Sequence, residues 1–146
     1  MTTRPSILLI EDSPGECELF RAAVKETRVA VSLQIESTVE AAFRFLAKAD
    51  GSRPLPSLIL LDLKLGKQHG LDVLRELRGD TRVRHVPVIV FTTSDHPADL
   101  AACYAAGANG YVTKPDTYEA LLHFIMDLHN YWLRWNRSVP PVEIQC

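Results

Sequence analysis

The sequence predicts a doubly wound α/β fold in which five parallel strands form one sheet covered by helices on both faces. Three observations carry this reading. Short β-rich apolar runs alternate with longer segments of helical periodicity. The runs Ile7-Leu8-Leu9-Ile10 and Leu58-Ile59-Leu60-Leu61 are apolar at every position, as strands buried on both faces must be. Each of these, like the run Gly110-Tyr111-Val112-Thr113, ends in charge: Glu11-Asp12, Asp62 and Lys114-Pro115. Parallel strands share one carboxyl edge, so groups far apart in sequence would meet there in a single cleft, where three acids and a lysine make a metal and phosphoryl site.

Taken in order, the strands are expected at residues 6–10, 31–37, 58–62, 88–92 and 110–113. The first helix should begin at Pro14, a residue suited to the first helical position, capped by Ser13 or Asp12, with Leu19, Phe20, Ala23 and Val24 facing the sheet. The second follows Thr38 and buries Ala42, Phe43 and Leu46. The third runs from about Gly70 to Leu77 and ends before Gly79; the fourth follows Pro97 and stops at Gly107, where glycine can take a left-handed cap. The fifth has a capping-box-like start, Asp116-x-x-Glu119, and an apolar face through Tyr118, Leu121, Leu122, Ile125, Leu128 or His129, and Trp132, at least four turns long. Residues 50–56 read as a loop.

Composition bounds the function. At 146 residues the chain suits one domain with a real core, taken as residues 1–137 including an extended last helix, with 138–146 as a tail and no room for an output domain. Sixteen Lys and Arg against 18 Asp and Glu give a formal charge of −2, so nucleic acid is not an expected partner. Glu11-Asp12 interrupts the first apolar run, which argues against a signal peptide or membrane span and for a soluble cytoplasmic protein. Cys17, Cys103 and Cys146 form no metal or disulfide pattern, and the five histidines at 69, 85, 96, 123 and 129 lack ligand spacing. Arg75, Arg78, Arg82 and Arg84, interleaved with Glu76 and Asp80, read as a solvated face. Tyr131, Trp132 and Trp135 form an aromatic strip suited to a protein partner, self-association being favoured.

With Glu11-Asp12 after the first strand, Asp62 ending the third, Thr92 ending the fourth, Lys114-Pro115 after the fifth, Gly70 in the loop past Asp62 and Tyr111 in the fifth strand, the chain resembles a two-component response regulator receiver domain over roughly residues 6–128. The resemblance implies a flavodoxin-like strand order 2-1-3-4-5 and a signalling protein, not an enzyme. It implies Mg²⁺ held by the carboxylates of Glu11, Asp12 and Asp62 and the backbone carbonyl of Lys64, a hard cation on oxygen ligands. Asp62 would take a phosphoryl group from a sensor histidine kinase, with Lys114 offsetting the phosphoryl charge. Thr92 would bond the phosphoryl group, and its movement would let Tyr111 rotate inward and change the surface of the last helices. A cis Lys114–Pro115 bond would aim the lysine.

Departures from the family pattern are the longer Glu11 in place of Asp, the cation at Lys64 and the β-branched Thr93, which would narrow the pocket against small donors. The opening Ile-Glu-Asp-Ser-Pro-Gly-Glu, the Phe-Thr-Thr-Ser stretch and the long last helix ending Tyr131-Trp132-Leu133-x-Trp135 are similar to the regulators paired with bacterial phytochromes. That implies a light-sensing kinase as donor and a homodimer built on the carboxyl-terminal face and extended helix. A phosphatase using an aspartyl phosphate would need a second Asp where Lys64 stands. A flavin or nucleotide binder would not place Glu11-Asp12 after the first strand. A phosphate-independent receiver-like scaffold is the alternative reading.

Overall fold

The structure, a computed structural model, describes residues 4–50 and 52–139. The elements in chain order are β1 (Ser6–Ile10), α1 (Pro14–Thr27), β2 (Ser32–Glu36), α2 (Val39–Ala47), β3 (Leu58–Leu61), β4 (Lys64–Leu65), β5 (Gln68–His69), α3 (Gly70–Gly79), β6 (Val88–Thr92), α4 (Pro97–Ala105), β7 (Gly110–Thr113) and α5 (Tyr118–Asn130), continued by a π-helical turn, Tyr131–Trp135. The main sheet has the order β2-β1-β3-β6-β7 and every pairing in it is parallel. This is the 2-1-3-4-5 arrangement once the two-residue strands β4 and β5 are set aside. Those two form a separate antiparallel ribbon that carries no periodicity in the sequence and was not expected from it.

Side chains of the inner strands divide by parity, because successive residues of a strand point to opposite faces. Leu8, Ile10, Ile59, Leu61, Val88 and Val90 join the core beneath α2, α3 and α4, with Ala42, Leu46, Leu74 and Leu77. Ile7, Leu9, Leu58, Leu60, Ile89 and Phe91 join the core beneath α1 and α5, with Phe20, Ala23, Ile125 and Leu128. Two cores on the two faces of one sheet explain why the strands are apolar throughout.

Local chemistry sets the helix starts. Ser13 Oγ accepts from Glu16 N at 3.3 Å to cap α1, and Thr38 Oγ1 accepts from Ala41 N at 3.1 Å to cap α2. His69 and His96 cap α3 and α4 through Nδ1, accepting from Leu71 N and Ala98 N, so two of the five histidines have a structural role. Helix α5 is capped one residue later than expected: Thr117 Oγ1 accepts from Ala120 N, and Asp116 lies outside the helix. Leu19 does not face the sheet but is 53% exposed, because Phe20, Ala23 and Val24 already fill that stripe of α1.

Arg78 also departs from the solvated face expected of it. Its guanidinium donates to Gly107 O at 2.8 Å, Arg84 O at 3.1 Å, Val86 O at 2.9 Å and Asn109 Oδ1, clasping the end of α3 to the loop that follows α4. Cys17 is half-buried and Cys103 buried, whereas Cys146 and the tail from residue 140 lie outside the described residues.

Gly70 begins α3 against the backbone just beyond β3. A Cβ there would stand 2.4 Å from Asp62 O and 2.7 Å from Leu63 Cα, so either the helix or the Asp62 segment would have to move. Gly79, at the other end of the same helix, has nothing within 4 Å of such a Cβ. Gly70→Ala should therefore lower stability in urea unfolding by about 2–3 kcal/mol, the cost of overpacking a tight site, while Gly79→Ala stays within about 0.5 kcal/mol.

Candidate functional site

The strand ladder runs on past the carboxyl ends of the strands and carries the functional residues with it. Glu11 N donates to Glu36 O at 3.1 Å, Asp62 N to Ile10 O at 3.2 Å, and Lys114 N to Thr92 O at 2.7 Å. Three chain segments are thereby held side by side over one sheet edge. No peptide bond among the described residues is cis, so the expected cis Lys114–Pro115 bond is absent; the Lys114 backbone is held by the bond to Thr92.

The centre of the cleft is the Lys114 ammonium, whose side chain is only 10% exposed. Nζ donates to Glu11 Oε1 at 2.6 Å, Glu16 Oε2 at 2.9 Å and Asp62 Oδ2 at 3.0 Å, which uses all three of its N–H groups. Glu11 and Asp62 are buried, whereas Asp12 is exposed and its Oδ2 accepts from Gly66 N at 2.8 Å, tying the ribbon to the cleft. Gly66 holds φ +61° there, a conformation that suits glycine. Lys64 begins the ribbon, its N–H donating to Asp62 Oδ1 at 3.3 Å and its side chain in solvent.

Carboxylate oxygens of Glu11, Asp12 and Asp62 all lie within 4.8 Å of one another. That donor set, oxygen only and crowded with negative charge, fits a hard divalent cation. Its electrostatics show the same excess of acid. Burial pushes the Glu11 carboxyl up to about 8; the bond from Lys114 pulls it back, and Glu16 and Asp62 push it further up. Burial also disfavours the Lys114 charge, but its bonds to Glu11, Glu16 and Asp62 outweigh this and hold it above the ordinary lysine value. One ammonium is too little countercharge for the carboxylates around it.

Thr92 and Tyr111 do not reach into this cluster. Thr92 is buried and its Oγ1 accepts from Ser94 N at 3.3 Å, while the Tyr111 hydroxyl donates to Ser94 O at 2.9 Å. Ser94 Oγ in turn donates to Asp99 Oδ2 of α4 at 2.5 Å. Both side chains therefore meet at Ser94, which sequence reasoning noted only as a neighbour of Thr92. Thr93, expected to narrow the pocket, is exposed. Sequence reasoning did not single out Glu16, whose spacing from Ser13 also suits a capping glutamate. In the structure Glu11 Oε2 accepts from Ser13 N at 3.3 Å and Glu16 is free to reach Lys114.

A parallel sheet of this order with acids, a hydroxyl and a lysine at its carboxyl edge is the arrangement of a receiver-type signalling domain. The family model for the response regulator receiver domain matches residues 7–126, and the chain belongs to that family. It is 35% identical over 136 residues to the probable methanogenesis regulatory protein FilR2 of Methanothrix harundinacea, covering 92% of this chain and 88% of that protein. It is 34% identical over 129 residues to the response regulator Rcp1 of a Synechocystis species, covering 87% and 88%. The crystal structure of Rcp1 in its Mn²⁺-bound form superposes with a TM-score of 0.78 over 92% of this chain and 99% of that one, at 33% identity. The structure of the phosphorylated cyanobacterial phytochrome response regulator RcpA gives a TM-score of 0.82 at 27% identity, covering 93% and 99%.

The Glu11 shift has a consequence for stability. From 4.5 in the unfolded chain to about 8 in the fold, the native state binds more protons, so this contribution is complete below 4.5 and is lost as pH rises to 8. In chelator, the urea midpoint should fall between pH 5 and pH 8, and Glu11→Gln should flatten the decline. Asp80, whose carboxyl is held low first by the bond from Arg82, acts only below 3.8 and leaves this window clear. A midpoint independent of pH in both proteins would contradict the assignment.

Proposed function

We propose that this receiver takes a phosphoryl group on Asp62 from a sensor histidine kinase and reports the change through its surface. The observation that carries the reading is the buried Asp62 carboxylate, 3.0 Å from the Lys114 ammonium and grouped with the oxygens of Glu11 and Asp12. Glu11, Asp12 and Asp62, with the Lys64 carbonyl, would hold Mg²⁺. Bound there, it supplies positive charge against the phosphoryl oxygens.

An Asp62 oxygen attacks phosphorus, the P–N bond of the donor phosphohistidine breaks, and the imidazole leaves with the electron pair. Lys114 faces the charge that collects on the phosphoryl oxygens, a favourable position because the site is buried and the ammonium is already oriented. Thr92 then exchanges the Ser94 amide for a phosphoryl oxygen. Ser94 also holds Tyr111 and Asp99, so the exchange is felt in β7 and at the start of α4. The protein acts in the cytoplasm by changing what it binds, not by an enzymatic activity of its own. No helix among the described residues is long and apolar enough to cross a membrane.

Similarity to Rcp1 and to RcpA, the latter described as a phytochrome regulator, supports a light-sensing kinase of the bacterial phytochrome type as donor. Exposed Met126, Tyr131 and Trp135 on α5 and its π-turn support a homodimer through the carboxyl-terminal face.

The test is intact mass and sedimentation of the protein in Mg²⁺, with phosphohistidine kinase or acetyl phosphate as donor. Wild type should gain the mass of one phosphoryl group and Asp62→Asn should gain none; Lys114→Ala should slow the gain by about 10²–10³-fold, as loss of one oriented charge at a developing oxyanion does. No gain with either donor would instead support the phosphate-independent scaffold. Sedimentation should show a dimer that Trp135→Glu weakens.

A further inference from the structure

Glu16 bonds Lys114 but lies outside the three-carboxylate cluster that could hold a metal. This sets it apart from the other two acceptors of that ammonium. Glu11 and Asp62 would change partners on binding a cation or a phosphoryl group, whereas Glu16 lies outside the carboxylates that would hold that cation. Its backbone at the start of α1 is held apart from those carboxylates, since Ser13 caps the helix through the Glu16 backbone N–H. The wall beside it offers Lys114 no substitute: Leu19, Phe20, Phe91, Pro115 and Leu121 line an apolar slot next to the Lys114–Glu16 pair. Without Glu16 the third N–H would turn toward an aromatic face or toward water, with the Phe91 ring centroid 5.8 Å from Nζ.

We propose that Glu16 is a positioning residue of the phosphoryl site, a constant acceptor that keeps the Lys114 ammonium aimed at Asp62 while Glu11 and Asp62 exchange their own partners. This rests on the phosphoacceptor reading for its kinetic consequence, but not for the bond itself. The side chain is 42% exposed, so the pair adds little to folding stability; its effect is on the orientation of one ammonium.

Three variants test it: Glu16→Ala, Glu16→Gln, which keeps an acceptor oxygen without the charge, and Glu18→Ala, which removes an exposed acid from the same helix. In metal-free protein, the Lys114 ammonium should give a slowly exchanging ¹⁵N–¹H signal in wild type, Glu16→Gln and Glu18→Ala, and lose it in Glu16→Ala. At saturating Mg²⁺, Glu16→Ala should gain phosphoryl from acetyl phosphate about fivefold more slowly, the upper worth of a half-exposed pair, with Glu16→Gln within about twofold of wild type and Mg²⁺ affinity little changed. Retention of the signal in Glu16→Ala would overturn the proposal, as would equal losses in Glu16→Ala and Glu16→Gln, which would mark a charge effect. If wild type accepts no phosphoryl group, the phosphoacceptor reading fails, and the ammonium signal alone decides the role of Glu16.

Discussion

A lysine ammonium almost closed off from water must find acceptors for three protons, and Lys114 finds them just past β1, on α1 and just past β3 at once. Desolvation on this scale is tolerable only with charge partners close by, and the partners tolerate each other only because the ammonium is there. Removing the ammonium would leave the buried Glu11 and Asp62 facing each other without countercharge, so the cleft is a single electrostatic unit whose parts come from sequence positions up to 103 residues apart. The remaining excess of carboxylate over ammonium, which also pushes the Glu11 carboxyl up, suits the unit to a cation.

The sheet makes that unit reproducible. Its inner strands are locked by two cores whose side chains alternate through each strand, so a register slip of one residue would drive an apolar set to the wrong face. The hydrogen bonds of Glu11, Asp62 and Lys114 to neighbouring strands extend this register by one residue into the cleft. Rigidity of the core is thereby passed to the Glu11 and Asp62 carboxylates without a loop intervening, although their neighbour Asp12 is bonded to a ribbon of two-residue strands.

Much of this could be read in the chain before any coordinates. Apolar runs, caps at Ser13 and Thr38, and the order of Glu11, Asp12, Asp62, Thr92 and Lys114 identify the fold and the main acids because each signal is local and their sequence is specific. What escaped was set by tertiary contacts. Glu16 looks like a capping glutamate until Glu11 is seen to occupy the amide it would have taken. Arg78 looks solvated among its charged neighbours until the backbone carbonyls of Arg84, Val86 and Gly107 converge on it. Asp116 is the cap the sequence suggests, whereas Thr117, one residue on, accepts from Ala120 N.

The Arg78 clasp bears on how a change at the cleft would travel. At its carboxyl end α4 is followed by a loop pinned through Gly107 and Asn109 to α3, at the edge of the sheet opposite the acids. At its amino end it is joined to the cleft by the Ser94–Asp99 bond and capped by His96. Cys103 is the one buried residue of the helix, close to the pinned end. A helix fastened at one end and lightly held at the other moves as a lever about the fastened end. Ångström-scale adjustment at Ser94 would swing the exposed Leu100 side of α4 more than Tyr104, which lies near the fulcrum.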